Sequence, residues 1–365
     1  DYQKALKEFQ ETKYPSAGKM FREFHTNYPE SKYLDHILYL KAESEYRITF
    51  KELNPIFDRA LASFKLAMRK FPKSKFYDHA LLKVASIFYE SGYNLEARAL
   101  YKQGLKSNPK SLYNEVRKNN LAAMLMKEGK LEKAFKAFQS ILRKSPNNVA
   151  SKAGIFEIAN KFFEKKDLLR ALKIYEAGTK RWPGEINEKP EISYVMAEIY
   201  YSQKKFKKAR KHFFNLLNLD PASKNSHKAL NRIGDSYMVE GNYQNALSVF
   251  DESGKRKSIK RDDDGRAVFD KEGVVVREDS AQTQYGKIRM ADIGVRSPRL
   301  KIRDIVFDVE HYYKPFKTFD EIFVEARNVD ILAEVTLSRG IAYLLEQNYL
   351  KAIDEFKKLL PLGPE

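Results

Sequence analysis

Asp262-Asp263-Asp264-Gly265 is the densest run of carboxylates in the chain and the natural place to look for a hard-cation site. A helix–loop–helix calcium loop needs acids at alternating positions and a Glu at the twelfth. Counted from Asp262 the twelfth residue is Gly273, so the spacing fails and a solvated turn is the reading these residues support. The six histidines, His25, His36, His79, His212, His227 and His311, are scattered. His36 and His79 fall at equivalent places in two repeated segments and read as polar groove or surface residues, not metal ligands. No Cys is present, which removes disulfides, thiolate metal sites, Fe–S clusters and cysteine nucleophiles together. The sequence has no Gly-rich phosphate loop, no His-Glu-x-x-His and no Gly-x-Ser-x-Gly. Asp354-Glu355 lies in an ordinary amphipathic pattern. We therefore expect a protein that is not an enzyme and needs neither metal nor cofactor.

What the remaining residues must build is a large helical body. The 365 residues are 43% hydrophobic, 13% aromatic and 32% charged, enough for a substantial core and unlike a disordered chain. No window approaches 18 uncharged apolar residues, so no membrane-spanning helix is expected. No signal sequence is visible. The chain begins at Asp1 inside a helical run, and we expect a leader or further repeats ahead of it.

A segment repeats along the chain. Ala17, Ala60, Ala97, Ala134, Ala171, Ala209, Ala246 and Ala352 are spaced by 43, 37, 37, 37, 38, 37 and 106 residues. Four residues after each comes an aromatic: Phe21, Phe64, Tyr101, Phe138, Tyr175, Phe213, Phe250 and Phe356. Twelve residues after seven of them comes Pro, from Pro29 to Pro364; the Ala246 unit has Ser258 instead. Twelve residues before six of them sits another small residue: Ala85, Ala122, Ala159, Ala197, Gly234 or Gly340. Small residues let two helix backbones approach, an aromatic one turn later fills the space beside them, and Pro ends the second helix. Each unit thus reads as a helix pair, an A helix followed by a B helix.

This pattern resembles the tetratricopeptide repeat, most clearly over 83–109, 119–146, 155–183, 194–221 and 230–250. Gly129 and Gly241 fall where that family places its interhelical turn. The period is 37 residues where the family has roughly 34. The resemblance implies an all-α solenoid of helix pairs forming a right-handed superhelix: about seven units over 1–257, an irregular insertion with a degenerate helical repeat over 258–330, and a C-terminal unit over 331–365. The first unit is expected to lack a regular A helix, and Pro55 interrupts the second. The phrases Tyr28-Pro29-Glu30-Ser31 and Phe71-Pro72-Lys73-Ser74, with Asn108-Pro109-Lys110-Ser111 as a looser form, are similar to inter-repeat phrases of bacterial envelope and periplasmic tetratricopeptide proteins.

Within the insertion, residues 254–280 lose helical periodicity. Ala267-Val268-Phe269 and Val274-Val275-Val276 flank an Asp270-Lys271-Glu272-Gly273 turn and predict a β-hairpin. Residues 281–294 and 308–328 are expected to be helices of the degenerate repeat, with Ser297-Pro298 breaking between them.

The resemblance implies that A helices line a concave groove. Carried onto this chain, the groove candidates are Tyr39 and Tyr46 in the second unit and Lys83 and Tyr89 in the third. The fourth offers Asn119, Asn120 and Met126, and the fifth Phe156, Asn160 and Phe163. The sixth offers Tyr194 and Tyr201, and the seventh Asn231 and Arg232. About half of the aromatics are expected to be exposed, with Tyr46, Tyr89, Phe163 and Tyr201 as the best series. Asn can pair with the backbone of an extended peptide, and aromatics give contact area at low entropy cost. The family's carboxylate clamp is incomplete here: Lys228 and Arg232 match its last pair, but Val195 and Phe156 replace its other polar residues.

The net charge is +18. Residues 258–330 hold 14 Lys or Arg against 15 Asp or Glu, and 331–365 hold 4 against 5, so 1–257 carries about +20. These cations concentrate at turns and on B helices, as in Lys204-Lys205, Lys207-Lys208 and Lys180-Arg181, away from the groove. The expected function is a protein–protein scaffold for a bacterial envelope or motility complex, periplasmic or envelope-associated, with the cytoplasm as the alternative compartment. Its partners would be other proteins or peptide segments, and self-association is open. The second reading is a basic adaptor for nucleic acid or an anionic membrane surface; nucleic-acid binding would use the backbone alone, since no base-reading module is visible.

Overall fold

The computed structural model describes residues 1–53, 55–262, 264–304, 309–312 and 314–362, with backbone alone for 301–304, 309–312 and Leu362. Asp263, Asp308 and Pro364, named above, lie outside the described residues. Nineteen α-helices among the described residues fall into two units, 1–165 and 166–365.

The first unit contains α1 (Tyr2–Gln10), α2 (Tyr14–Asn27), α3 (Leu34–Thr49), α4 (Asp58–Lys70), α5 (Tyr77–Glu90), α6 (Asn94–Ser107), α7 (Asn114–Lys127), α8 (Leu131–Lys144) and α9 (Val149–Glu164). Each packs on the next in sequence, so the layer is a stack of antiparallel pairs. The expectation that the first unit lacks an A helix is corrected: α1, nine residues long, packs on α2 in that role.

Two kinds of turn repeat through the chain. Between A and B helices one residue takes a left-handed backbone: Thr12, Gly92 and Gly129 in the first unit, Lys166, Lys204, Gly241 and Gln347 in the second. After Thr12, Gly92, Gly129, Lys204, Gly241 and Gln347 the next amide closes back onto the A helix, as in Lys130 N–H to the Leu125 carbonyl at 2.9 Å, the Schellman arrangement that satisfies an orphan helical carbonyl. Between B and A helices, Ser of the Pro-x-Ser phrase turns the chain. The Phe76 amide donates to Ser74 Oγ at 3.1 Å and the Tyr113 amide to Ser111 Oγ at 3.0 Å.

The repeated alanines are the packing points. Seven of the eight have no exposed surface, and Ala352 is 2% exposed. Where the small residue of the A helix is Gly, the aromatic that follows lies over it: a Cβ added at Gly234 would stand 2.5 Å from the Phe250 ring. Gly340 faces Phe356 in the same way.

The second unit contains α10 (Leu168–Arg181), the short α11 (Glu185–Glu188), α12 (Glu191–Ser202), α13 (Phe206–Leu219), α14 (Ser226–Val239) and α15 (Tyr243–Lys255). After β1 (Ser258–Ile259) and β2 (Arg277–Glu278) come α16 (Ala281–Arg296), β3 (Lys301–Asp304), β4 (Val309–Tyr312), α17 (Pro315–Glu325), α18 (Val329–Leu345) and α19 (Tyr349–Leu359). Helix α16 packs on both α14 and α15 and then on α17 and α18, so it takes the place of an A helix in the stack. A capping box between Ser280 and Thr283 starts it.

The expected helix over 308–328 is corrected. Val309–Tyr312 pairs antiparallel with Lys301–Asp304, and the helix runs only from Pro315 to Glu325. Ile302, Val309 and Tyr312 are strand formers, and Pro315 at the first helical turn favours a start there.

The expected hairpin is present, with Phe269 opposite Val275, and it belongs to a larger pattern. The described residues of 258–278, which leave out Asp263, form three short segments with two equivalent turns eight residues apart. Lys260 N–H donates to the Val276 carbonyl, Val276 N–H to that of Val268, and Val268 N–H to that of Lys260, each at 2.9 Å. Gly265 and Gly273 both have φ of 78°. The Asp262 carboxylate accepts from the Asp264 and Arg266 amides, and Asp270 accepts from those of Glu272 and Val274. Asp262 therefore caps a turn, and no cluster of three metal-ligating side chains occurs among the described residues.

Candidate functional site

From α3 onward each A helix carries its small residue at the centre of the packing face: Ala42, Ala85, Ala122 and Ala159 in the first unit, Ala197, Gly234, Ala291 and Gly340 in the second. The residues flanking these positions form a ladder between consecutive A helices. A group two residues before the small residue reaches back to the group one residue after the small residue of the preceding A helix.

In the first unit Lys83 Nζ of α5 stands 3.5 Å from Glu43 of α3 and 4.2 Å over the ring of Tyr46. Arg47 also holds Glu43, at 2.7 Å. Burial lowers the Lys83 pKa against the opposing pull of Glu43, and burial pushes Tyr46 up to about 12. In the second unit Arg232 of α14 lies 3.4 Å from Glu198 of α12 and over the ring of Tyr201. Arg289 of α16 lies 3.6 Å from Asp235 of α14, and Ser338 of α18 donates to Asp292 of α16 at 3.2 Å.

Between α5 and α9 the same positions are mostly neutral. Ser86 and Asn120 both bond the Tyr101 hydroxyl, at 3.2 and 2.9 Å. The next rung offers Ala123 and Glu157, the latter held within its own helix by Lys161 at 3.4 Å. Tyr89, Met126 and Phe163, each four residues beyond its small residue, are half-buried beside these rungs. Lys127 sits 5.4 Å over the Tyr89 ring.

Of the groove candidates, Tyr39, Tyr46, Asn119, Phe156 and Asn231 are buried. Lys83, Tyr89, Asn120, Met126, Asn160, Phe163, Tyr194, Tyr201 and Arg232 are partly buried. None of the seven aromatics among them is fully exposed, fewer than the half expected. Two amides chosen for peptide pairing are engaged internally. Asn119 accepts from Ser151 Oγ at 2.6 Å and donates to Asn148. Asn231 accepts from Ser253 Oγ at 2.6 Å and donates to the backbone and side chain of Gln282. Tyr39 donates to the Phe71 carbonyl at 3.2 Å, tying α3 to the turn after α4.

Residues of α16 complete the second unit's surface. A cavity of about 160 Å³ is lined by Lys228, Asn231, Arg232, Asp235, Gln282 and Tyr285. The Tyr285 hydroxyl donates to both Asp235 oxygens, at 2.9 and 3.0 Å, while burial pushes the Asp235 carboxyl up to about 6. Arg289 also binds Asp292 and Glu334, at 2.9 and 2.6 Å. Sequence reasoning missed Gln282, Tyr285 and Arg289 because they lie in the segment read as irregular. The spacing Tyr285, Arg289, Asp292 places all three on one helical face and was the available signal.

No family model matches the sequence. No curated protein matches it. Among solved structures, the C-terminal part of a TPR repeat-containing protein from Cytophaga hutchinsonii is similar over 69% of this chain and 94% of its own, at 13% identity and a TM-score of 0.52. The chain folds as a tetratricopeptide repeat solenoid. Two further tetratricopeptide-like matches have lower scores. A tetratricopeptide repeat protein from Parabacteroides merdae covers 79% of this chain and 94% of its own, at 17% identity and a TM-score of 0.39. Pseudomonas aeruginosa pilF covers 60% and 89%, at 14% identity and 0.39. In this tetratricopeptide fold the charged rungs link A helices to each other, and the neutral rungs from α5 to α9 leave half-buried amide, thioether and aromatic groups along the face. No helix among the described residues is long and apolar enough to cross a membrane.

Proposed function

We propose that the chain is a non-catalytic scaffold that holds polypeptide segments of partner proteins along the A-helix face of the first unit, centred on α5, α7 and α9. The change from charged to neutral rungs at Ser86, Asn120 and Ala123 carries this reading. Where Lys83 and Glu43 satisfy each other, a partner gains little by displacing them. Where the rungs are neutral, a peptide meets partly exposed Tyr89, Met126 and Phe163 without displacing an ion pair between A helices.

The complex served is a bacterial assembly in the cell envelope or a motility apparatus. The Pro-x-Ser phrases, similar to those of envelope tetratricopeptide proteins, support that assignment. Crosslinked pull-down from the native host, with envelope and soluble fractions kept separate and washed at high salt, tests both parts. Partners retained by the wild type and lost from Tyr89→Ala and Met126→Ala variants of unchanged circular dichroism are the expected result. Equal recovery by both variants would overturn the groove, and recovery only from the cytoplasmic fraction would overturn the compartment.

A further inference from the structure

One edge of the first unit carries a row of exposed cations. The turns joining B to A helices stack in a row, because each leans on the start of the preceding A helix. Ser74 donates to Asp35 at 2.7 Å, and Phe76 stacks on His36 at 4.6 Å. Ser111 bonds Asp78, Tyr113 leans on His79 at 5.2 Å, and Asn148 donates to Glu115 at 3.0 Å. These contacts occupy the edge's own carboxylates. Asp78 is held further by the fully buried Arg117, and Glu115 by Ser145.

The cations at the same turns are left without acids. Arg69, Lys70, Lys73 and Lys75 flank the first turn, Lys106 and Lys110 the second, and Arg143 and Lys144 the third. All eight are exposed, and no ion pair to any of them occurs among the described residues. Favourable interaction with helix C-termini accounts for those in last turns. It does not account for Lys73, Lys75 and Lys110, which lie beyond the helices.

Apolar side chains protrude among them. Leu112 is 93% exposed and Val149 71%, and each follows the polar residue that ends its turn. Tyr28 and Tyr33, at 46% and 40%, occupy the equivalent turn before α3.

We propose that this edge docks on an anionic lipid surface, with its lysines at the headgroups and Leu112 and Val149 at the acyl boundary. Unpaired cations interspersed with protruding apolar and tyrosine side chains fit a surface that is anionic outside and apolar beneath. Nucleic acid would satisfy the lysines but leave Leu112 and Val149 in water. The rings that could stack on bases, Phe76 and Tyr113, already pack on His36 and His79. This surface is separate from the A-helix face, and its test does not depend on the peptide reading.

The test is flotation of the full chain with phosphatidylglycerol–phosphatidylcholine vesicles and with pure phosphatidylcholine vesicles. Binding to the first alone, lost at high salt, is expected. Lys73→Glu/Lys110→Glu/Lys144→Glu should weaken it by at least about 100-fold, since each lysine near an anionic surface contributes roughly a factor of five. Leu112→Gln/Val149→Gln should weaken it several-fold at unchanged charge. Lys204→Glu/Lys207→Glu/Lys211→Glu, the same charge change on α13 and the turn before it, should retain most of it. The proposal is overturned by absence of vesicle binding, by an equal loss in the α13 variant, or by edge-dependent binding to oligo-dT or an acidic polypeptide without vesicle binding.

Discussion

Lys83 lies 4.2 Å over the ring of Tyr46 and 3.5 Å from the carboxylate of Glu43, so one lysine of α5 engages two side chains of the preceding A helix. Arg232 repeats the relationship in the second unit with Tyr201 and Glu198. An acid, a base and an aromatic at fixed offsets from a small residue thus tie A helices together at two separate places in the chain.

Removing the acid and removing the base should not cost the same. Glu43 is 6% exposed and faces both Lys83 and Arg47. Glu43→Ala leaves two cations together and should destabilise by about 3 kcal/mol, whereas Lys83→Ala leaves Glu43 paired with Arg47 and should cost about 1 kcal/mol. Urea unfolding of the two variants checks the order. Equal losses would mean that the ladder is only a close approach.

Ala134 and Ala209 have no exposed surface. Leu at either position must push helices apart, and we expect a loss of roughly 1–3 kcal/mol. Thermal melts that coincide with the wild type in both variants would contradict the packing register. Local contacts within a repeat array also allow unfolding in more than one step, which calorimetry would show.

Two glycines act for different reasons. At Gly129, φ of 74° makes Ala unfavourable by about 1 kcal/mol with no steric contact involved. At Gly234 a Cβ would strike the Phe250 ring, so Gly234→Ala should cost about 1–3 kcal/mol. A Phe250→Leu background should reduce the second penalty and leave the first unchanged. At Lys204, whose φ is 57°, Gly should be tolerated or slightly stabilising by the same logic.

Asp235 should give the second unit an unusual pH response. Burial raises its carboxyl to about 6, above the unfolded value, despite Arg289 and the Tyr285 hydroxyl. The native state then holds a proton that the unfolded chain releases, so this contribution falls as pH rises from about 4 to 6. Its full size is on the order of 3 kcal/mol. The stability difference between Asp235→Asn and wild type should therefore shift in favour of Asn across that range. A difference independent of pH would show that Asp235 is ionised throughout.

The helix pairs were legible because their determinants are local. Ala134, Phe138 and Pro146 lie within one B helix and its exit, and helix packing needs the same small and aromatic residues at the same offsets in every unit. The turn glycines Gly129 and Gly241 were legible for the same reason: a left-handed residue is required wherever an A helix closes into a B helix. The eight-residue pattern shared by Asp262 and Asp270 was not read, although both turns are local, because each was weighed alone.

The exposure of the groove residues was decided only by tertiary structure. Asn119 and Asn231 look like free amides in sequence, and Ser151 and Ser253 take them up only when the next helix arrives. Arg289 joined the ladder because α16 stacks on α14 after a 25-residue interruption that hides the register. The basic edge has the same origin. Sequence alone determined how many lysines the first unit carries, but the stacking of Ser74 on Asp35 and Ser111 on Asp78 decided which acids were occupied. Periodicity along a chain specifies the repeated unit, while exposure and pairing depend on groups that meet across tens of residues.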